Sequence, residues 1–275
     1  MKKIIFDFGF NAGQNFEYFL LKADYVVGVE ANEFLFGDIK KRFKKFIDEG
    51  RLHLENYALV DNEKIKSTKF FIADDSGHST LLPKLSVSKK FNEVLVKCVT
   101  PKEIIKKYLK KFSLNEIEYI KIDLENYDHK ILKNINDNKI FSKFMSVECH
   151  HPNTINQILR SDYKSFKFVK GSRKHRQLKI LDKENNYNTL NFTNSSSGPY
   201  GDDIPGMYFT KNSIIPYFLN HGLGWIDVHC ALDKKDFKKD IIYNEEIHIN
   251  PGIFKQISNL FINIIKFAKK KFLGH

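Results

Sequence analysis

Residues 2–13 read Lys2-Lys3-Ile4-Ile5-Phe6-Asp7-Phe8-Gly9-Phe10-Asn11-Ala12-Gly13, and this stretch decides the fold. Lys3 to Phe6 holds a short apolar run and reads as a buried strand. Asp7 to Gly13 reads as a tight turn, in which Gly9 and Gly13, lacking a Cβ, let the backbone approach a ligand closely. Gln14 to Leu21 carries apolar residues at helical spacing. Strand, glycine turn and helix form the first unit of a doubly wound α/β sheet, which takes ligands at the carboxyl ends of its strands. Tyr25 to Glu30 is a second strand. It ends in a carboxylate about twenty residues on, where such folds hold the two hydroxyls of a ribose.

A nicotinamide dinucleotide is the obvious ligand for such a unit, but its G-x-G-x-x-G fingerprint is not met. Phe10 and Asn11 stand where the next glycine should come. Asp7 adds a carboxylate near the place of a pyrophosphate. That charge opposes a dinucleotide and suits a ligand with a cationic end, such as S-adenosylmethionine with its amino group and sulfonium.

The 275 residues make one large domain or two small ones, and 42% hydrophobic content is ample for a core. A formal net charge of +12 suggests acidic partners. The lysines are spread widely, however, mostly on expected helices, and no nucleic-acid-binding module is evident. Cys98, Cys149 and Cys230 are far apart and form no C-x-x-C, which fits free thiols in a reducing compartment. The first strand begins almost at Met1, leaving no room for a signal peptide, and no apolar stretch is long enough to span a bilayer. A cytoplasmic protein is expected.

Further along, Asn32 can cap a helix to about Ile47. Arg51 to Val60 and Thr68 to Ala73 read as strands. The polar loop Asp74 to Thr80 could fold over an adenine or be plain surface. Val94 to Val99 is a strand, and Thr100-Pro101 opens a helix. Ile117 to Leu124 is a clear core strand that ends at Asp123-Leu124-Glu125, and Asn126-Tyr127-Asp128 opens a helix. Phe144 to Val147 leads into Glu148-Cys149-His150-His151-Pro152, then a helix from Asn153 and a late strand at Ser165 to Val169. After Gly171 the pattern weakens. A basic patch including Arg173 and Arg176 precedes a polar stretch and a Gly/Pro/Asp loop with Asp202 and Asp203. Ile214 to Asn220 is a short helix, and Trp225 sits near an Asp227/His229 pair. The expected organisation is a nucleotide-binding core over 1–170, a substrate-binding elaboration of the same domain over 171–250, and an amphipathic helix over 251–275.

These residues resemble a known family. Asp7 to Gly13 resembles the first motif of the FkbM-type S-adenosylmethionine-dependent methyltransferases, and Val29-Glu30-Ala31-Asn32 the second. Lys121-Ile122-Asp123-Leu124-Glu125-Asn126-Tyr127-Asp128 is similar to that family's K-I-D-x-E-G-x-E string, and Ser146-Val147-Glu148 to the strand end after it. Asn126 replaces the usual Gly and Asp128 the usual Glu. The resemblance spans roughly residues 3 to 150. It implies an α/β, Rossmann-like class I methyltransferase sheet flanked by helices, with an elaborated C-terminal region. Its cofactor would be S-adenosylmethionine, held at Asp7, Gly9, Asn11, Gly13, Gln14, Asn15, Glu30, Ala31, Ala58 and Asp123.

The family implies methyl transfer, usually to oxygen. A sugar hydroxyl is a weak acid, so it needs a base or a metal. Asp123, Glu125 and His150 are the catalytic candidates. Asp123, Glu148 and His150 could bind a divalent cation, or His150 or Asp123 could act as base directly. Arg173 and Arg176 could hold a substrate phosphate or be solvated, while Asp202 and Asp203 could bond substrate hydroxyls or form a turn. The expected activity is O-methylation of a nucleotide-linked sugar or of a capsular or lipopolysaccharide glycan precursor, in polysaccharide biosynthesis. The rivals are an RNA methyltransferase, prompted by the net charge although nucleic acid is not the expected partner, and a non-catalytic membrane-surface scaffold. The 251–275 helix could touch an anionic membrane, pack on its own domain or build a homodimer.

Overall fold

The computed structural model describes residues 1–171, 176–193 and 196–235. The helix expected over 251–275 lies outside them. In chain order the strands are β1 (Ile4–Phe8), β2 (Tyr25–Glu30), β3 (Leu52–Asn56), β4 (Ala58–Leu59), β5 (Ser67–Ala73), β6 (Phe91–Val99), β7 (Tyr119–Ile122), β8 (Phe144–Glu148), β9 (Ser165–Lys170), β10 (Arg176–Leu181), β11 (Tyr187–Phe192) and β12 (Ile226–Ala231). The helices are α1 (Phe16–Lys22), α2 (Phe36–Arg42), α3 (Lys44–Asp48), α4 (Pro101–Phe112), α5 (Asp128–Asp137), α6 (Pro152–Arg160) and α7 (Ile214–His221).

A seven-stranded sheet of order β3-β2-β1-β7-β8-β12-β9 forms the centre. All its pairings are parallel except those of β12, which runs antiparallel to both β8 and β9. The chain leaves β1 toward β2 and β3 on one side and returns to β7 on the other. The topological switch point, where open α/β sheets take ligands, therefore falls between β1 and β7. This is the Rossmann-like class I methyltransferase arrangement that the sequence leads one to expect.

Every residue of β1, β7, β8 and β12 is buried. One face of the sheet packs on Ile104, Ile105, Ile131, Leu132, Ile155, Ile158 and Phe218, from α4, α5, α6 and α7. The other packs on Phe16, Phe19, Leu20 and Ile39 of α1 and α2, and on Ile180, Leu190 and Phe192 of the β10–β11 hairpin. β4, β6 and β5 form a separate three-stranded sheet. No helix among the described residues is long and apolar enough to cross a membrane, and all three cysteines are buried, free thiols.

Four local readings change. The Arg51–Val60 strand is split at Tyr57, because β4 leaves the main sheet to pair with β6. The helix expected from Asn32 to Ile47 is broken at Phe43, and Asn32 caps only a short 3-10 turn by accepting from Phe34 N (3.2 Å). The polar stretch after Gly171 contains the β10–β11 hairpin. β12, not expected as a strand, lies inside the 171–250 elaboration yet occupies an interior position of the central sheet.

Candidate active site

The carboxyl ends of β1, β2, β7 and β8 open into a cavity of about 530 Å³ lined by Gly9, Asn11, Gln14, Glu30, Ala31, Ala58, Asp123, Glu125, Glu148 and His150, among others. The volume lies within the ordinary range for small-molecule sites. Glu30, at the end of β2, is fixed through both oxygens: Asn11 N donates to Oε2 (3.1 Å) and Asn32 N to Oε1 (2.9 Å). Burial raises its pKa, and these backbone donors work against that rise.

Gly9 has φ +82°, and a Cβ there would lie 1.8 Å from the Asp123 carbonyl oxygen. Only glycine lets the first turn lie this close to the end of β7. Beneath that contact sits Lys121, almost fully buried. Its Nζ donates to Gly9 O (2.9 Å) and lies 3.3 Å from Asp7 and 3.2 Å from Asp123. Burial opposes the lysine charge, but Asp123 and Asp7 outweigh it and raise the pKa. Burial lifts Asp7 to about 6, and Lys121 works against that rise.

After β7 the chain makes a turn with two left-handed residues, Glu125 (φ +48°) and Asn126 (φ +76°). Leu124 N donates to Asp128 Oδ1 (2.8 Å), and Thr80 Oγ1 donates to Glu125 O (2.7 Å). The turn directs Glu125 into the cavity beside Asp123 and Glu148, and these three can each place a carboxylate oxygen within 4.8 Å of the others. Burial, followed by repulsion from Asp123 and Asp128, pushes Glu125 up to about 9. Burial, then Asp123 and Asp227, holds Glu148 well above the usual carboxylate range. His150 Nε2 lies 3.5 Å from Glu148 Oε1.

Several expected site residues fall elsewhere. Asp7 is fully buried and faces Lys121 rather than the cavity. Gly13 (φ +67°) serves the turn and packs against Phe16. Asn15 accepts from Ser196 Oγ (2.6 Å) and Ser197 N (3.1 Å), tying α1 to a distant loop. Asp202 and Asp203 lie at the opposite, amino end of the sheet, where Gly201 packs on Phe144, the first residue of β8. There Asp202 pairs with Lys235 (2.9 Å), and Asp203 accepts from Tyr18 OH (2.8 Å) and pairs with Lys22 (2.8 Å). Arg173 and the side chain of Arg176 lie outside the described residues. The compact carboxylate cluster is Asp123, Glu125 and Glu148, and His150 stands beside Glu148.

His151 Nδ1 accepts from Asn153 N (3.1 Å) and caps α6, and His229 is buried within β12. The loop over 74–80 does reach the cavity: Ser76 Oγ donates to Asn11 Oδ1 (2.8 Å), and His78 also lines the wall. Tyr57, Phe70 and Trp225, which carry no sequence signal for a site, also line the cavity. Trp225 packs so closely on Gly171 that a Cβ there would fall 1.9 Å from the indole ring.

The sheet order and the cavity at its switch point have the layout of the class I methyltransferase fold. Residues 7–187 match the Methyltransferase FkbM domain, and the chain belongs to that family. A methyltransferase family implies S-adenosylmethionine as the cosubstrate. Among solved structures, a methyltransferase FkbM from Methylobacillus flagellatus is 12% identical with TM-score 0.39, the match covering 62% of this chain and 40% of that one. A putative RNA methyltransferase from Pyrococcus horikoshii is 9% identical (TM-score 0.33; 84% and 74% covered), and spermidine synthase from Thermotoga maritima 10% (0.34; 86% and 55%). The chain thus spans less than half the length of the first of these. No curated protein matches it.

Proposed function

We propose that this protein is an O-methyltransferase acting on a sugar hydroxyl, in a nucleotide-linked sugar or a surface-glycan precursor made in the cytoplasm. The observation that carries the reading is the polarity of the cavity. Glu30, the expected ribose anchor, stands at the end of β2, while Asp123, Glu148 and His150 gather beyond β7 and β8. β2 and β8 are three strand spacings apart in the sheet, about 14 Å, enough to place a nucleoside at one end and an acceptor at the other.

The residues present fit S-adenosylmethionine. Gly9 lines the cavity and lets the first turn lie against the end of β7, and Glu30 offers carboxylate oxygens already held in place by backbone N–H groups. When bound, S-adenosylmethionine supplies a methyl group activated by the sulfonium. The chain must then orient the acceptor oxygen and receive its proton. His150 is suited to take that proton, with Glu148 Oε1 placed to steady the imidazolium that results. Trp225, about half exposed at the rim, offers a flat apolar face to a sugar ring. A divalent cation at the acidic end would assist by lowering the hydroxyl pKa.

The test is methyl transfer to nucleotide sugars, with the product identified as an O-methyl ether by mass spectrometry. Asp123→Asn and His150→Ala are each expected to lower turnover at least about 100-fold. Full activity in both variants, or methylation of RNA in preference to sugars, would sink the reading.

A further inference from the structure

We propose that Asp123, Glu125 and Glu148 form a binding site for one hard divalent cation, Mg²⁺ or Mn²⁺, on the acceptor side of the cavity. The three carboxylates come from two adjacent strand ends and the turn after β7, and one oxygen from each lies within 4.8 Å of the others. Oxygens bound to one cation at about 2.0–2.6 Å stand no more than roughly 4–5 Å apart. An all-oxygen donor set selects hard cations over zinc or copper.

A second, independent observation points to a ligand. Glu148 is 4% exposed, and its Oε2 has no hydrogen-bond partner, while Oε1 faces His150. A buried carboxylate oxygen left without a donor is costly, and a cation supplies the missing partner. Lys121 does not fill this role, since it lies between Asp7, Asp123 and Gly9 O beneath the cavity floor. The turn also fixes Glu125 in advance of any ligand: Thr80 holds its carbonyl and Asp128 holds the preceding N–H.

The cation would bind the acceptor hydroxyl, lower its pKa and leave His150 to receive the proton. The role of the cation, though not its binding, rests on the methyl-transfer reading above.

The experiment is a Mn²⁺ titration of the purified full chain followed by electron paramagnetic resonance. S-adenosylhomocysteine binding is measured in parallel by calorimetry. One Mn²⁺ per chain is expected, displaced by excess Mg²⁺, with affinity reduced at least tenfold in Glu125→Gln and in Glu148→Gln. Each variant should keep its S-adenosylhomocysteine affinity, which shows that it is folded. Glu125→Gln, on the partly exposed turn, carries the test if Glu148→Gln does not fold. No Mn²⁺ binding, or binding unchanged in the variants, overturns the cation site while S-adenosylhomocysteine binding keeps the cofactor reading. An ammonium-bearing acceptor in place of a cation would give that same negative Mn²⁺ result. Failure of the parent protein to bind S-adenosylhomocysteine overturns the cofactor reading instead, whatever Mn²⁺ does.

Discussion

Lys121 Nζ stands 3.3 Å from Asp7 Oδ1 at a depth where neither side chain has meaningful contact with water. The same ammonium touches Asp123 and the Gly9 carbonyl, so one cation joins the first turn to the end of β7. Removing it leaves Asp7 buried and unpaired, and losses of this kind run to about 3–5 kcal/mol. Lys121→Met should lower unfolding stability by about that amount in urea titrations. Adding Asp7→Asn should recover at least ~1 kcal/mol of it, because the orphaned charge is gone. A double variant no more stable than Lys121→Met would show that the pair does not carry the effect.

Glu30 is held by two backbone donors and lines the cavity. Glu30→Gln keeps the shape but loses the charge and half of the acceptor capacity. S-adenosylhomocysteine should bind about 10- to 100-fold more weakly, or roughly 1.4–2.7 kcal/mol, measured by calorimetry. Unchanged affinity would remove Glu30 from the site.

Asn126 occupies the position of a family glycine, and its φ of +76° explains the exchange. Asn is the residue that next best tolerates left-handed backbone. Asn126→Gly should leave the melting temperature nearly unchanged or slightly raised. Asn126→Val should cost about 1–3 kcal/mol. Equal melting of the two variants would show that the turn relaxes.

Asp128 gives a pH signature. Burial, followed by repulsion from Asp123, raises its pKa to about 7 from an ordinary 3.8. The folded state therefore holds its proton more tightly than the unfolded state. The stability tied to that proton is complete below about pH 4 and is lost as pH rises toward and through 7. Asp128→Asn can still accept from Leu124 N and no longer titrates. At pH 8 the variant should be more stable than the parent by on the order of 2 kcal/mol, and at pH 4 the two should nearly coincide. A difference independent of pH would assign the effect to packing instead.

How much of this was legible depended on the kind of signal. β1, its glycine turn and β2 announce themselves because Ile4-Ile5-Phe6 and Tyr25 to Val29 are short apolar runs and the turn needs glycine. Asp123 and Glu148 were legible because each closes a mostly apolar strand run, and Glu125 because it follows Asp123 by two residues. The interior place of β12 was not, since Asp227 and His229 alternate with Ile226, Val228 and Cys230 as on a half-exposed strand, and only the structure shows all six residues buried. The hairpin β10–β11 buries Ile180, Leu190 and Phe192 amid polar residues, too sparse a pattern to stand out. The location of Asp202 and Asp203 was not legible for a different reason. Turn chemistry tells that a loop bends, but not which end of a sheet it occupies. Lys121 was read as part of a motif, but its burial and its partners depend on strands far apart in sequence.

The insertion of β12 between β8 and β9 has a consequence for the order in which the molecule is made. In the central sheet β9 bonds only to β12, which comes more than fifty residues after it. A nascent chain that has emerged through β9 therefore carries β8, with Glu148 at its tip, as an open and fully apolar-flanked sheet edge. Such edges recruit wrong partners. The late arrival of residues 226–231 should thus be the committing event of folding, slow because its contacts span so much chain. Ribosome-stalled chains ending before that segment should resist proteolysis only poorly, and those extended past it should become protected together from β8 through β9.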